Sequence, residues 1–211
     1  MAKDPLSELV NAYRTYYRLS DQLDFYSGLE SLETAIDYAA MARRADGTKH
    51  PHQYRLKQPD LRAVRDNLLE NRAQLKASQS FADIFHLVRS CAGRGFGPLA
   101  IYDTALRLGA YLDRLPDYVY LHAGTRTGAK ALGLKVDREY LAMDELPQPI
   151  QVLQPYEAED FLCIYKGQLK NPEAYADATV TGCHPQDPAP ENRCHPDNIP
   201  AEITTKSGCS S

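Results

Sequence analysis

Residues 81–112 read FADIFHLVRSCAGRGFGPLAIYDTALRLGAYL, and this stretch decides the fold. The preceding residue, Ser80, forms a Ser-x-x-Asp capping box with Asp83, which predicts the start of an amphipathic helix. Proline suits the first position of a helix, where its missing N–H is not needed, so Pro98 predicts the start of a second helix. Between them lies the glycine turn, residues 95–97 (Gly-Phe-Gly), where the backbone can bend sharply. The stretch therefore predicts two helices joined by a short turn.

Helical spacing of apolar residues recurs on both sides of this pair. Asp4, followed by proline, predicts the cap of an N-terminal helix that runs to Gly28. Asp60 is expected to cap another helix. Further helices are predicted over residues 31 to about 45, before Gly133 and after Pro155. We therefore expect an all-α helical domain over residues 1–170.

Composition indicates a globular chain with an unusual C-terminal end. The 211 residues are 43% hydrophobic, which is enough to bury a core. No apolar run approaches the roughly 20 residues of a membrane span, and the N-terminus lacks a signal-peptide pattern. We therefore expect a cytoplasmic protein without membrane contact. Residues 171–211 are rich in proline and polar residues, which predicts an extended or disordered tail.

Charge is distributed unevenly along the chain, although the formal net charge is only −4. Residues 43–130 carry fifteen basic and eight acidic side chains, whereas both flanking segments are net acidic. A basic middle between acidic ends is typical of a local site for a polyanion. Scattered charges on solvated helix faces are the alternative interpretation.

The glycine turn, directly before a helix, suggests a binding site for an anion. Glycine lets another backbone approach closely, and a helix N-terminus presents unpaired N–H groups and a positive dipole end. Together these features suit a phosphate group, and Arg94 would add charge beside Gly95, Phe96 and Gly97. The alternative is that the glycines only allow a tight link between two packed helices.

The same residues resemble the helix-hairpin-helix motif of the base-excision DNA glycosylases, which reads apolar-x-Gly-apolar-Gly before a helix. The resemblance spans about residues 80–134 and continues downstream of the second helix. Its matching positions are Gly95, Phe96, Gly97, Ala100, Val119, His122, Arg126 and the Leu-Gly-Leu at 132–134. The resemblance implies a helical fold in which the turn's backbone amides hold a DNA phosphate without reading sequence.

The chain departs from that family at the catalytic positions. The family's catalytic aspartate would fall at Tyr120 and its lysine nucleophile at Leu99, and neither side chain can replace them. Asp117 lies near the first position, and Asp103 lies in the second helix, so either is a candidate for a divergent catalytic carboxylate. The family's iron–sulfur cysteine cluster is missing, and we expect no cofactor.

A second candidate anion site lies downstream, at the predicted start of another helix. It consists of His122, Thr125, Arg126 and Lys130, with glycines between them that allow close approach. The alternative is that the glycines are packing devices and that His122 is a hydrogen-bonded core residue.

Two histidine-containing segments complete the candidates. His50 and His52 lie in a basic loop that we expect to be exposed, although it could contact phosphate. Cys183-His184 and Cys194-His195 repeat in the tail, but adjacent ligands suit a tetrahedral zinc site poorly. We expect no metal.

These observations favour one function over two alternatives. The leading hypothesis is a nucleic-acid-binding protein that contacts the phosphate backbone of double-stranded DNA through the glycine turn. The first alternative is a divergent DNA glycosylase, or a related base-processing enzyme, that uses Asp117 or Asp103. The second alternative is a helical protein-interaction module in which the glycines only pack.

Overall fold

The computed structural model describes residues 4–17, 19–50 and 53–172, and it is mostly helical. These residues form nine α-helices and one pair of short strands. The elements are α1 (Pro5–Tyr16), α2 (Leu19–Ser27), α3 (Leu32–Ala40), α4 (Gln58–Glu70), α5 (Arg72–Ala77), α6 (Phe81–Cys91), α7 (Pro98–Leu112), β1 (Val119–Tyr120), α8 (Ala123–Ala131), β2 (Tyr140–Leu141) and α9 (Pro155–Ile164). The expected all-α class is thus right at the level of a mostly helical chain. The predicted C-terminal tail, apart from its first two residues, and both of its Cys-His pairs lie outside the described residues.

Local capping explains several of the helix starts. The side chain of Asp4 accepts a hydrogen bond from the N–H of Ser7, as expected for the N-cap of α1. Ser80 and Asp83 form the predicted reciprocal capping box at the start of α6. Pro98 is the first residue of α7, as predicted.

Three helix boundaries differ from the sequence-based expectations. The N-terminal helix is broken, because Tyr17 is extended and packs its ring edge-on against Tyr165. The helix predicted over residues 31 to about 45 is α3, and it ends at Ala40, because Ala42 takes a left-handed conformation with a φ of 55°. α4 begins before Asp60, with Lys57 as its N-cap, so Asp60 lies in the first turn and does not cap the helix.

The buried apolar side chains form two clusters. In the first, α7 packs against α2, α3 and α6, and residues such as Leu108 are fully buried. The second cluster joins α1, the strand pair, α8 and α9 around side chains such as Phe161. The two clusters adjoin at β1, where Tyr120 belongs to the first cluster and its chain neighbours Val119 and Leu121 belong to the second.

The strand pair is antiparallel, with Val119 opposite Leu141 and Tyr120 opposite Tyr140. It brings the chain between α7 and α8 next to the segment that follows α8. Short 3-10 segments at Met143–Glu145 and Gln148–Val152 then lead to α9. None of the described helices is both long and apolar enough to cross a membrane.

Candidate functional site

The glycine turn is a tight link with a buried anchor and an exposed backbone. Gly95 has a φ of +99°, a backbone conformation that residues other than glycine rarely adopt. Phe96 is 4% exposed and packs in the first core cluster. Its N–H donates to the carbonyl oxygen of Gly93 at 3.2 Å, which closes the turn. Arg94, Gly95 and Gly97 remain at the surface.

The N-terminus of α7 is open to solvent. Gly97 is its N-cap, and no side chain of the described residues caps the first turn. A Cβ atom placed on Gly97 would meet no atom within 4 Å, so the surface beside this N-cap residue is open. Because uncapped N–H groups and the helix dipole attract anions, this end has the properties of a phosphate site.

One carboxylate lies close to the turn. A Cβ atom placed on Gly95 would lie 3.0 Å from Oδ2 of Asp60, in the first turn of α4. The contact gives a second reason, besides the backbone conformation, for glycine at this position. It also puts a negative charge beside the backbone that an anion would approach.

A cleft of about 700 Å³ opens between the start of α7, the strand pair and the start of α8. Its lining residues include Pro98 at the first position of α7 and the N-cap and first residue of α8, His122 and Ala123. Two helix N-termini therefore open onto one concave surface, which concentrates positive dipole ends there. Its remaining lining residues are Phe85, Arg89, Tyr102, Tyr120, Leu121, Arg126, Asp137, Arg138 and Glu139.

Three arginines line the cleft, and each is held by a defined contact. Arg89 pairs with Glu139 and lies over the ring of Phe85, 4.5 Å from its centroid. Arg126 donates hydrogen bonds to the carbonyl oxygens of Leu121 and Arg138, at 2.9 and 3.0 Å. Arg138 pairs with the carboxylate of Glu145. These contacts order the guanidinium groups along the wall of the cleft.

His122 belongs to a buried polar cluster at the base of α8. Its Nε2 atom contacts the carboxylate of Glu159 on α9 and lies 2.9 Å from Oγ1 of Thr125. Thr125 in turn donates to the same carboxylate. Burial opposes a charge on the imidazole, but the attraction of Glu159 outweighs it and raises the pKa of His122 to about 9. His122 is therefore cationic at neutral pH, and the hydroxyl of Thr125 is engaged inside the protein.

Two tyrosines form the inner aromatic wall. The hydroxyl of Tyr102 is buried and has no hydrogen-bond partner among the described residues. Burial, with nearby carboxylates, raises the pKa of Tyr102 well above its usual range. Burial also raises the pKa of Tyr120 to about 12, so both phenols stay protonated at neutral pH.

The predicted site residues fall into separate groups. His122 and Arg126 line the cleft, while Lys130 lies on the exposed face of α8, outside its lining. Asp117 is exposed two residues before β1 and does not belong to the described lining, where Tyr120 is found. Asp103 is mostly buried and ion-pairs with Arg107 on the same helix at 3.7 Å.

The expectation that the loop around His50 is exposed is wrong for His50 itself. This side chain is 5% exposed, and its Nε2 atom lies 2.9 Å from the hydroxyl of Tyr26. The Tyr26 hydroxyl donates its one proton to the carbonyl oxygen of Arg43 and therefore accepts from Nε2 of His50, so the histidine forms a structural contact in the core. His52 lies outside the described residues. No three His, Cys, Asp or Glu side chains of the described ranges group as a metal site would require.

Sequence reasoning did not identify several residues that shape this region. Glu159 was not foreseen, because it is one of three acids at positions 157, 159 and 160, and nothing in the sequence distinguishes it from the other two. Arg89 lies on α6 and Arg138 lies shortly before β2. These two residues are far apart in the chain, and only the fold brings both to the lining of one cleft. The phenylalanine and tyrosines of the cleft resemble ordinary core residues in the sequence.

Comparison with known proteins gives no independent indication of function. No family model matches the chain, and neither does any of the curated proteins or solved structures with which it was compared.

Proposed function

We propose that the protein binds double-stranded DNA through the phosphate backbone, with the glycine turn acting as a helix-hairpin-helix phosphate site. The observation that carries the proposal is the convergence of two helix N-termini, those of α7 and α8, on one cleft. Neither N-terminus is capped by a side chain among the described residues, so their N–H groups are available to an anion.

The glycine turn provides the first phosphate contact in this proposal. The buried ring of Phe96 fixes the turn, and the surface beside Gly97 is open. A DNA backbone can therefore approach the main-chain N–H groups closely, as glycine permits. Arg94 is exposed beside the turn and supplies a cation to the same phosphate or its neighbour.

The cleft provides the second contact region. Its lining carries Arg89, Arg126 and Arg138 together with the carboxylates of Asp137 and Glu139, and Arg138 also pairs with Glu145 outside the lining. Lys130 lies on the exposed face of α8 and adds a further cation outside the cleft. Thr125, through its hydrogen bonds to His122 and Glu159, holds the start of α8 in place. Such a surface favours a backbone ligand and contains no obvious reader of base sequence.

The test is a binding titration of fluorescent blunt duplex DNA at several salt concentrations, followed by anisotropy. A protein that neutralises several phosphates loses affinity steeply as salt rises, and little difference between duplex sequences is expected. The variant Arg94→Gln should reduce the salt slope by about one unit. Arg14→Gln, which removes an exposed charge on α1, is the matched control. Absent or salt-insensitive binding would refute the proposal.

A second pair of variants tests the backbone of the turn directly. Gly97→Ala adds a methyl group that meets no atom of the free protein, so the fold is expected to persist. The methyl group would project from the N-cap residue into the open space beside the turn, where we expect a phosphate to bind. Gly93→Ala adds a methyl group in equally open space at the other end of the link. Weaker binding by Gly97→Ala than by Gly93→Ala is the expected result, and equal affinities would contradict the role of the turn.

A further inference from the structure

Two tyrosines at the edge of the strand pair expose an aromatic surface. Tyr118, directly before β1, and Tyr140, the first residue of β2, are each 43% exposed. Their ring centroids are 4.6 Å apart and their planes differ by 33°, so the rings pack against each other at the surface. A single exposed tyrosine is common, but a packed pair is a broad aromatic face held by short strands.

This aromatic surface is continuous with the cleft. The ring of Tyr140 lies 5.8 Å from that of Tyr120, and the ring of Tyr120 lies 4.7 Å from that of Phe85. Tyr120 and Phe85 both line the cleft, whereas Tyr118 and Tyr140 lie outside its lining. The pair therefore lies at the rim of the cleft that we propose binds DNA.

The charges beside the pair favour a nucleic acid strand as its occupant. Arg138, two residues before Tyr140, lines the cleft together with Arg126 and Arg89, and its guanidinium pairs with Glu145. Glu139 lies between Arg138 and Tyr140, but it pairs with Arg89. An aromatic face next to guanidinium groups suits a ligand that joins planar rings to phosphates. Nucleobases in the interior of a duplex are already stacked on both faces, whereas an unpaired base has a free face that can lie flat on such a surface.

We propose that Tyr118 and Tyr140 form a stacking platform for an unpaired nucleobase, so that the preferred ligand is DNA in which single-stranded nucleotides adjoin a duplex. This inference rests on the proposed function, because the duplex contacts place the strand beside the platform. Stacking on an aromatic ring tolerates any base, so the preference is for structure and not for sequence.

The experiment compares a blunt duplex with the same duplex carrying a four-nucleotide overhang, both followed by anisotropy at one salt concentration. The wild-type protein should bind the overhang DNA about tenfold more tightly, the scale expected from stacking of one or two bases. Tyr118→Ala combined with Tyr140→Ala should abolish this preference and leave the affinity for blunt duplex unchanged. The corresponding double phenylalanine variant keeps both rings and should retain the preference.

Two controls separate the platform from general effects. Tyr54→Ala removes another exposed tyrosine, 64% exposed and outside the lining of the cleft, and should leave the preference intact. A 2-aminopurine base in the overhang reports stacking on the wild-type protein through a change in its fluorescence. This measurement needs no variant, so the proposal stays testable if the alanine variants fail to fold.

The outcomes distinguish the platform from the proposed function. Binding of blunt duplex with no preference for the overhang, or no change in 2-aminopurine fluorescence, refutes the platform alone. A preference that survives in the folded double alanine variant also refutes it. If the wild-type protein binds neither DNA, the proposed function fails and the platform fails with it.

Discussion

His122 and Glu159 form a buried ion pair that joins the N-cap of α8 to the middle of α9. Their side chains are 5% and 6% exposed, so solvent screens the interaction weakly. Thr125 bonds to both partners and completes the cluster. The pair fixes the start of α8, which forms one wall of the cleft.

The ion pair predicts a specific dependence of stability on pH. The pKa of His122 is raised from 6.5 to about 9, so the folded state binds this proton more tightly than the unfolded state does. Its stabilisation is fully present below about pH 6.5 and is lost as the pH rises through about 9. The expected loss is roughly 3 kcal/mol, on the scale of 1.36 kcal/mol per pKa unit.

Urea unfolding of wild type and His122→Gln between pH 6 and 10 measures this contribution. The wild-type advantage in unfolding free energy should shrink steadily across that interval. An advantage that is constant or grows with pH would show that the imidazole is neutral in the folded protein. NMR titration of the His122 ring gives the pKa directly.

The carboxylate of Asp60 lies beside Gly95, so removing its negative charge should increase the affinity of the protein for DNA. The carboxylate lies beside the turn that we propose holds a phosphate, so it repels the ligand. Asp60→Asn should therefore tighten binding by up to about fivefold at low salt, since like charges about 4 Å apart in water repel by about 1 kcal/mol. The gain should shrink as salt is added.

A matched substitution separates the Asp60 effect from net charge. Glu70→Gln removes one negative charge at the other end of α4 and should change affinity little. Equal gains in the two variants would mean that only the overall charge matters. Asp60→Asn should also lower stability slightly, because Asp60 lies in the first turn of α4 and interacts favourably with its dipole.

Gly97→Asp should move stability and DNA binding in opposite directions. An aspartate N-cap can accept hydrogen bonds from the first turn of α7, which Gly97 leaves without a side-chain cap. We expect a stability gain of about 0.5 kcal/mol from the cap and the helix dipole. The same carboxylate would occupy the proposed phosphate site and weaken DNA binding by about tenfold or more.

Thermal unfolding and anisotropy together test this variant. Gly97→Asn is the control, because it offers a cap of similar strength without the charge. If Gly97→Asp becomes more stable and keeps its full DNA affinity, the end of α7 is not a phosphate site.

The helices around the glycine turn were predictable because their signals are local. The capping box at Ser80 and the proline at position 98 act within one helical turn, and the structure has both helix starts where they were expected. Tyr17 and Ala42 end helices through tertiary packing or an unusual backbone conformation, which helical spacing does not encode. Local rules therefore located helix starts better than helix ends.

The site was less predictable, because its geometry depends on contacts between distant segments. Sequence reasoning proposed His122 and Arg126, which do line one cleft with Pro98. It had no means of pairing His122 with Glu159, since a buried carboxylate becomes meaningful only when its partner is known. The placement of Asp60 beside Gly95 likewise follows from the packing of α4 and has no signature in either segment.

The crossing of α8 and α9 depends on Gly128, and its substitution should destabilise the protein. A Cβ atom placed on Gly128 would collide with the main-chain carbonyl of Leu162, which cannot move aside as a flexible side chain could. Alanine favours a helix by about 1 kcal/mol over glycine, so an isolated α8 would gain from this change. We expect the collision to dominate and to lower the unfolding free energy by about 1–3 kcal/mol, as for other overpacked interiors.

Because separation of the helices would also draw Glu159 from His122, the pKa of His122 should fall toward 6.5. Urea unfolding and NMR titration measure the two effects, and Gly167→Ala, at a site with open space, is the control. A Gly128→Ala variant as stable as wild type would mean that the helices can separate without loss.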